Sequence, residues 1–129
     1  NLEKFGLILT LEALISNVNE SLLIQLIVNH DYQKRPISFE VQIYRIIQEF
    51  LSNVIKHAKA SNMLIHIRDT ETSLALILSD NGVGFDNSIL KKGMGLKNID
   101  SRIKSINAFS KWKSKKGNGS RLIIILPIQ

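Results

Sequence analysis

No cysteine occurs among the 129 residues, which excludes disulfide staples, thiolate metal sites and a cysteine nucleophile, and fits a cytosolic setting. No apolar run approaches the roughly 20 residues that span a bilayer; the longest, Leu122 to Ile128, is interrupted by Pro127. No two histidines stand four apart, so the spacing of a helical zinc site is missing. A long basic helix interleaved with aromatics is also missing. The net charge of +6, from 17 Lys and Arg against 11 Asp and Glu, therefore reads as a solvated surface or a nucleotide-phosphate funnel rather than a nucleic-acid interface. The chain opens on Asn1 with neither an initiator Met nor a signal-peptide pattern, which reads as a piece of something longer.

What is present is the length of one domain and an ordinary globular composition, 44% hydrophobic and 22% charged. Leu7, Leu11, Leu14, Ile15 and Val18 fall at helical spacing, predicting an amphipathic helix over residues 5–19. A buried strand is expected at Leu22 to Val28, ended by the polar run Asn29 to Arg35 and Pro36. Ser38 is the expected N-cap of a second helix reaching Ala58, with Val41, Tyr44, Ile47, Leu51, Val54, Ile55 and Ala58 as its apolar stripe. A hairpin follows over Met63 to Arg68 and Leu74 to Ser79, then a glycine-punctuated stretch from Asp80 to Gly95. A third helix over Leu96 to Ile106 and two strands, Phe109 to Ser114 and Arg121 to Ile128, close the chain. The order α β α β β α β β lacks strict βα alternation, so the expected fold is an α/β (α+β) two-layer sandwich with a largely antiparallel five-stranded sheet.

The chemistry is concentrated in four places. On the second helix Glu49, Asn53 and Lys56 lie within an arc of about 60° on the side away from the apolar stripe, offering a carboxylate, an amide oxygen and an ammonium that suit Mg²⁺ and the phosphates it bridges. The stretch Asp80-Asn81-Gly82-Val83-Gly84-Phe85 follows a strand directly, with glycines that admit a ligand to the backbone and a carboxylate to hold it. Gly93-Met94-Gly95 stands just before the helix starting at Leu96, where backbone amides bind phosphate. Gly117-Asn118-Gly119-Ser120 opens the last strand. Each glycine group alone reads as a turn, and their order after an E-x-x-x-N helix is what is specific.

In that order the sequence resembles the GHKL ATPases with the Bergerat fold, and within them the catalytic and ATP-binding domain of bacterial sensor histidine kinases. Gln48 to Ala58 matches the N box, Asp80 to Phe85 the first glycine box, Gly93 to Leu96 the second and Gly117 to Ser120 the third. Tyr44 to Glu49 and the short interval from Phe85 to Gly93 look most like the subgroup signalling to response regulators with a helix-turn-helix output. The resemblance covers nearly all of residues 1–129, with residues 1–5 as a remnant of the linker from a missing dimerisation domain.

The resemblance implies ATP and Mg²⁺ as ligands, a five-stranded sheet covered on one face by three helices, and a cytoplasmic location. It implies that Asn53 ligates Mg²⁺, that Glu49 supports the metal or polarises a reacting group, and that Lys56 contacts phosphate. His57 would pack beside adenine and ribose, and Asp80 would accept a hydrogen bond from the adenine amine. Gly82 and Gly84 would floor the pocket and hinge a lid over Phe85 to Gly93. Gly93, Gly95 and Leu96 would close over the phosphates, and Ser120 would assist Asp80 through a water. The implied partners are a dimerisation and phosphoacceptor domain of the same parent and, through it, a response regulator. An anti-sigma-factor-type serine kinase, another GHKL ATPase and a non-catalytic ATP-dependent docking module share this pocket and stay open as alternatives. Asn107-Ala108-Phe109 departs from the small glycines common in relatives, and the following strand is rich in lysine, at Lys111, Lys113, Lys115 and Lys116. His30 reads as a surface turn residue, His66 as a side chain on the sheet and Trp112 as packing.

Overall fold

A computed structural model describes residues 2–18, 20–84 and 96–127. The elements are α1 (Leu2–Ser16), β1 (Leu23–Val28), α2 (Ile37–Asn53) with a π-helical turn (Val54–Ala58), β2 (Asn62–Asp69), β3 (Ser73–Asp80), α3 (Leu96–Ser105), β4 (Phe109–Ser114) and β5 (Ser120–Pro127). They form one five-stranded sheet in the order β1-β2-β3-β5-β4, parallel between β1 and β2 and antiparallel elsewhere. This is the expected two-layer α/β arrangement.

Period-two alternation decides which face is covered. Met63, Ile65 and Ile67 of β2, Leu74, Leu76 and Leu78 of β3, and Leu122 and Ile124 of β5 point into the core, while the residues between them face outward. Against that inner face α2 buries Ile43, Ile46, Ile47, Phe50 and Leu51, α3 buries Leu96, Ile99 and Ile103, and α1 adds Leu7 and Leu11. Each such side chain is worth roughly 1.5 to 3 kcal/mol on burial, so the helices are held to the sheet by this shared layer and not by propensity.

Two sequence expectations for α2 are corrected. Ser38 is not the N-cap: α2 begins at Ile37, and the Pro36 carbonyl accepts the first bonds from the amides of Phe39 (3.0 Å) and Glu40 (3.1 Å). Pro36 is held at φ −54° and ψ 148°, an extended geometry that turns the chain into the helix two residues earlier than the serine would. The apolar stripe is also rotated from the expected one. Ile43, Ile46 and Phe50 are buried while Val41 and Tyr44 are half-buried and Ile55 is exposed, because the π turn takes Ile55 off the core side.

The loop between β1 and α2 is pinned to the end of β2 by a polar cluster that sequence reading did not find. Arg35 donates two hydrogen bonds to the Asp69 carboxylate, which also accepts the Gln33 amide at 2.7 Å. The Asn29 side chain exchanges two 2.7 Å bonds with the backbone of Asp69. Tyr32 donates its hydroxyl to Glu40 at 2.6 Å, and burial followed by that bond raises the phenol well above its ordinary pKa.

Candidate nucleotide-binding site

The inner face of the sheet and the end of α2 line a narrow, half-open pocket at the end of the sheet opposite this loop. Its walls are mostly apolar: Phe50, Val54 and Ala58 from α2 and the π turn, Leu96 from the start of α3, and Trp112 from β4. Trp112 stacks on Phe50 with ring centroids 6.1 Å apart and 16° between planes. The polar groups are few and convergent, namely Asn53, His57, Asp80 and Ser120.

Asn53 and His57 are four positions apart and so share one helix face. The wider i to i+5 turn over Val54–Ala58 rotates less per residue, which leaves Lys56 further round from Asn53 than an α-helix would. Asn53 and His57 line the pocket, His57 with an exposed side, whereas the exposed Lys56 and the half-buried Glu49, one turn before Asn53, stay outside the lining. Lys59, at φ 51°, ends the turn in the left-handed region.

Asp80 closes β3 and stands directly opposite Ser120 of β5, so both side chains share the inner face. One Asp80 oxygen, Oδ1, accepts the Gly82 amide at 2.8 Å, which leaves Oδ2 for a ligand. Burial raises its pKa above the ordinary carboxylate value, and the Gly82 amide offsets part of that. The Ser120 hydroxyl lies 3.0 Å from that of Ser114.

The glycines serve the site by close backbone approach. A Cβ on Gly82 would stand 2.2 Å from the Ala58 carbonyl oxygen, where Val83 donates its amide at 2.7 Å. At φ 66°, Gly84 would push a Cβ to 2.3 Å from the Lys115 carbonyl oxygen; at φ 76°, Gly119 would push one to 2.1 Å from the Asp80 carbonyl oxygen. The first glycine group is thus clamped between the π turn and the β4–β5 hairpin, and Gly119 belongs to the backbone that fixes Asp80. Asn81 completes the clamp, its Oδ1 accepting the amides of Ser61 (3.0 Å) and Asn62 (2.9 Å).

Of the residues singled out from sequence, Asn53, His57, Asp80, Gly84, Leu96 and Ser120 line one pocket. Gly82 packs behind it. Gly93, Gly95 and the expected lid from Phe85 to Gly93 lie outside the described residues. Sequence reading missed Phe50, Val54, Ala58 and Trp112 as pocket walls. Their signal was the same apolar periodicity that marks core, and only the Phe50 to Trp112 stack across the fold tells wall from filler. Trp112 was expected to pack; it does so and also bounds the site.

Residues 39–129 match the family of histidine kinase-, DNA gyrase B- and HSP90-like ATPases. The signal transduction histidine-protein kinase/phosphatase DegS of Brevibacillus brevis is 32% identical over 98% of this chain and 34% of its own length. The sensor histidine kinase YdfH of Bacillus subtilis is 41% identical over 67% of this chain and 22% of its own. This chain therefore spans about a third or less of the length of those relatives. In fold it resembles the histidine kinase AdeS of Acinetobacter baumannii, with a TM-score of 0.70 at 17% identity over 98% of this chain and 62% of that one. Among the described residues no helix is long and apolar enough to cross a membrane. The chain belongs to the histidine kinase-, DNA gyrase B- and HSP90-like ATPase family, as an ATP-binding domain of the sensor histidine kinase type.

Proposed function

We propose that this domain binds Mg-ATP and donates its γ-phosphoryl group to a histidine on a separate dimerisation and phosphoacceptor domain of the same parent, for relay to a response regulator. Residues 1–5 are read as the linker from that domain. The observation that carries the reading is Asp80: a half-buried carboxylate at the end of an apolar slot, with one oxygen committed to Gly82 and the other free for the amine of an adenine. Phe50, Val54, Leu96 and Trp112 offer the flat apolar walls a purine needs, and Asn53 and His57 stand on the side where ribose and phosphates would lie.

The donor set fits Mg²⁺. Among the described residues no group of three His, Cys, Asp or Glu could hold a metal by itself. One Asn53 amide oxygen, supported by Glu49 a turn before it, is the sparse protein contribution expected when phosphates and waters fill the rest of an octahedral shell. Bound there, the ion would neutralise phosphate charge. The domain's own work is to orient: in the transfer the bond from the γ-phosphorus to the bridging oxygen of ADP breaks, a bond to an imidazole nitrogen forms, and the ring proton is released. Lys56, exposed on the π turn next to His57, would contact the phosphates through its long side chain.

The acceptor is not in this chain. His30 lies on the loop after β1 at the far end of the sheet, 3.2 Å from Asp31, His66 is on the outer face of β2, and His57 lines the nucleotide pocket itself. Labelled ATP should leave no acid-labile phosphate on the purified chain, while calorimetry should detect Mg-ATP binding that Asn53→Ala weakens about tenfold without altering the fold. Wild-type affinity in the Asn53→Ala protein, or label on the chain above background, would overturn the assignment.

A further inference from the structure

The outer face of the sheet is covered by no described element, and its charged strand positions are of one sign. In register across β2, β3, β5 and β4 it presents Leu64, Ser79, Arg121 and Lys113 in one row, then His66, Ile77, Ile123 and Lys111, then Arg68, Ala75, Ile125 and Phe109. No carboxylate occurs among these strand positions, and Arg68, Lys111, Lys113 and Arg121 are in no ion pair with any described residue. Phe109 and Ile125, directly opposed, are 68% and 42% exposed. Lys113 stands directly opposite Arg121, an arrangement that like charges make unfavourable in an isolated sheet. A cationic rim around an apolar centre, kept despite that repulsion, is the pattern of an interface awaiting opposite charge.

We propose that this face docks an acidic amphipathic helix of a protein partner, laid across β3, β5 and β4. Its apolar stripe covers Ile77, Ile123, Ile125 and Phe109, and its flanking carboxylates meet Lys111, Lys113 and Arg121 on one side and Arg68 on the other. Size selects a helix: with strands about 4.8 Å apart and outward residues about 6.7 Å apart along each, the patch measures on the order of 200 Å². That suits a single helix of about 10 to 12 Å diameter and falls well short of the roughly 800 Å² per side of a standard interface between folded proteins. A second copy of the same face is disfavoured by charge. A bilayer is a poorer match because Ala75, Ile77 and Ile123 are half-buried by their neighbours, so only the Phe109 and Ile125 pair stands out on this patch to enter it.

The test uses the full 129-residue chain and a helical peptide of about five turns, with a Leu and Ile stripe flanked by Glu. Its controls are the same stripe flanked by Lys, and phosphatidylglycerol vesicles. The Glu peptide should bind saturably, shift resonances of Ile77, Ile123, Ile125 and Phe109, and weaken with salt. Lys111→Glu with Lys113→Glu should weaken it at least tenfold, and Lys111→Arg with Lys113→Arg should preserve it. In the first pair the carboxylate introduced at position 113 would face Arg121, so the strand pairing is kept, and unchanged ATP affinity checks the fold. Phe109→Ser gives an independent loss without a charge change. Equal binding of the Glu and Lys peptides, shifts elsewhere on the domain, or binding to vesicles but not to the Glu peptide would overturn the proposal.

Discussion

Two aspartates end neighbouring antiparallel strands and have opposite fates. Asp69 closes β2 and Asp80 closes β3, so they sit at opposite ends of the same sheet, both on its inner face. Asp69 is met by Arg35, by the Gln33 amide and by an Asn29 side chain gripping its backbone, and its pKa is lowered, chiefly through the Arg35 bonds. Asp80 meets one amide and an open pocket, and its pKa is raised, chiefly by burial. One carboxylate has its partners in the fold; the other has been given a place and left a partner short. The proposed role of Asp80 rests on that difference, which neither residue type nor strand position reveals.

The largest effect that would sharpen the contrast is on stability at Asp69. The Asp69 side chain is 5% exposed and that of Arg35 16%, so Asp69→Ala leaves a largely covered guanidinium with the Gln33 carbonyl in place of its carboxylate and frees the Asn29 to Pro36 loop. Breaking such a pair by removing one partner costs about 3 to 5 kcal/mol. Urea unfolding should show a correspondingly lower midpoint, while ATP affinity measured where the variant remains folded should be near wild type. A loss of ATP affinity equal to that of a pocket variant would break the comparison.

How the two sites register in the sequence differs for the same reason. Helix and strand order and the largely antiparallel sheet could be read from local alternation, and Asn53 and Asp80 from a polar helix face and glycines beside an acidic strand end, while His57 and Ser120 entered through the family resemblance. Arg35 and Asp69 are 34 positions apart, with no motif linking a loop arginine to a strand-end aspartate. The π turn was illegible too, since Val54 to Ala58 fits an ordinary helix by propensity, and its effect on Lys56 and His57 is a matter of rotation alone. Gly119 was read as a turn before a ligand strand. The structure adds that it is needed for contact with the Asp80 backbone, which no spacing rule encodes.

Gly119 supplies the next prediction, because it ties stability to the pocket where Asp69 does not. Gly119→Ala places a methyl group against the Asp80 carbonyl at a left-handed φ of 76°. Strain of this kind costs on the order of 1 to 3 kcal/mol, less than the Asp69 variant loses. Unlike Asp69→Ala, it should also lower ATP affinity several-fold, by displacing Asp80. Thermal unfolding and calorimetry on one preparation measure both; a stability loss with unchanged ATP binding would remove Gly119 from the site.

The smallest change in stability, and the most specific change in binding, is expected at Asp80 itself. An ionised carboxylate only accepts hydrogen bonds, which suits the adenine amine, whereas guanine presents a carbonyl at the same ring position. A mismatched pair of acceptors costs on the order of 1 to 3 kcal/mol, a preference of about tenfold or more for ATP over GTP. Asp80→Asn keeps the shape but can turn an amide donor toward either base, so ATP affinity should fall and the ATP to GTP ratio should shrink. Stability should not fall at neutral pH, and the sign follows from the raised pKa. Above that pKa the half-buried charge opposes folding, and as pH falls through it toward 3.8 the folded protein takes up the proton and the opposition is relieved. The Asn variant, with nothing to protonate there, should therefore be at least as stable as wild type at neutral pH and lose that advantage on acidification. Asp69, with its pKa lowered, behaves in reverse: its contribution is complete above 3.8 and is lost as pH falls through the lower, folded value. Unfolding curves of wild type and Asp80→Asn from neutral pH down to the acid limit, with ATP and GTP titrations at neutral pH, test both halves of the contrast. An Asn variant that is markedly less stable at neutral pH, or an unchanged nucleotide ratio, would place Asp80 among the structural charges alongside Asp69.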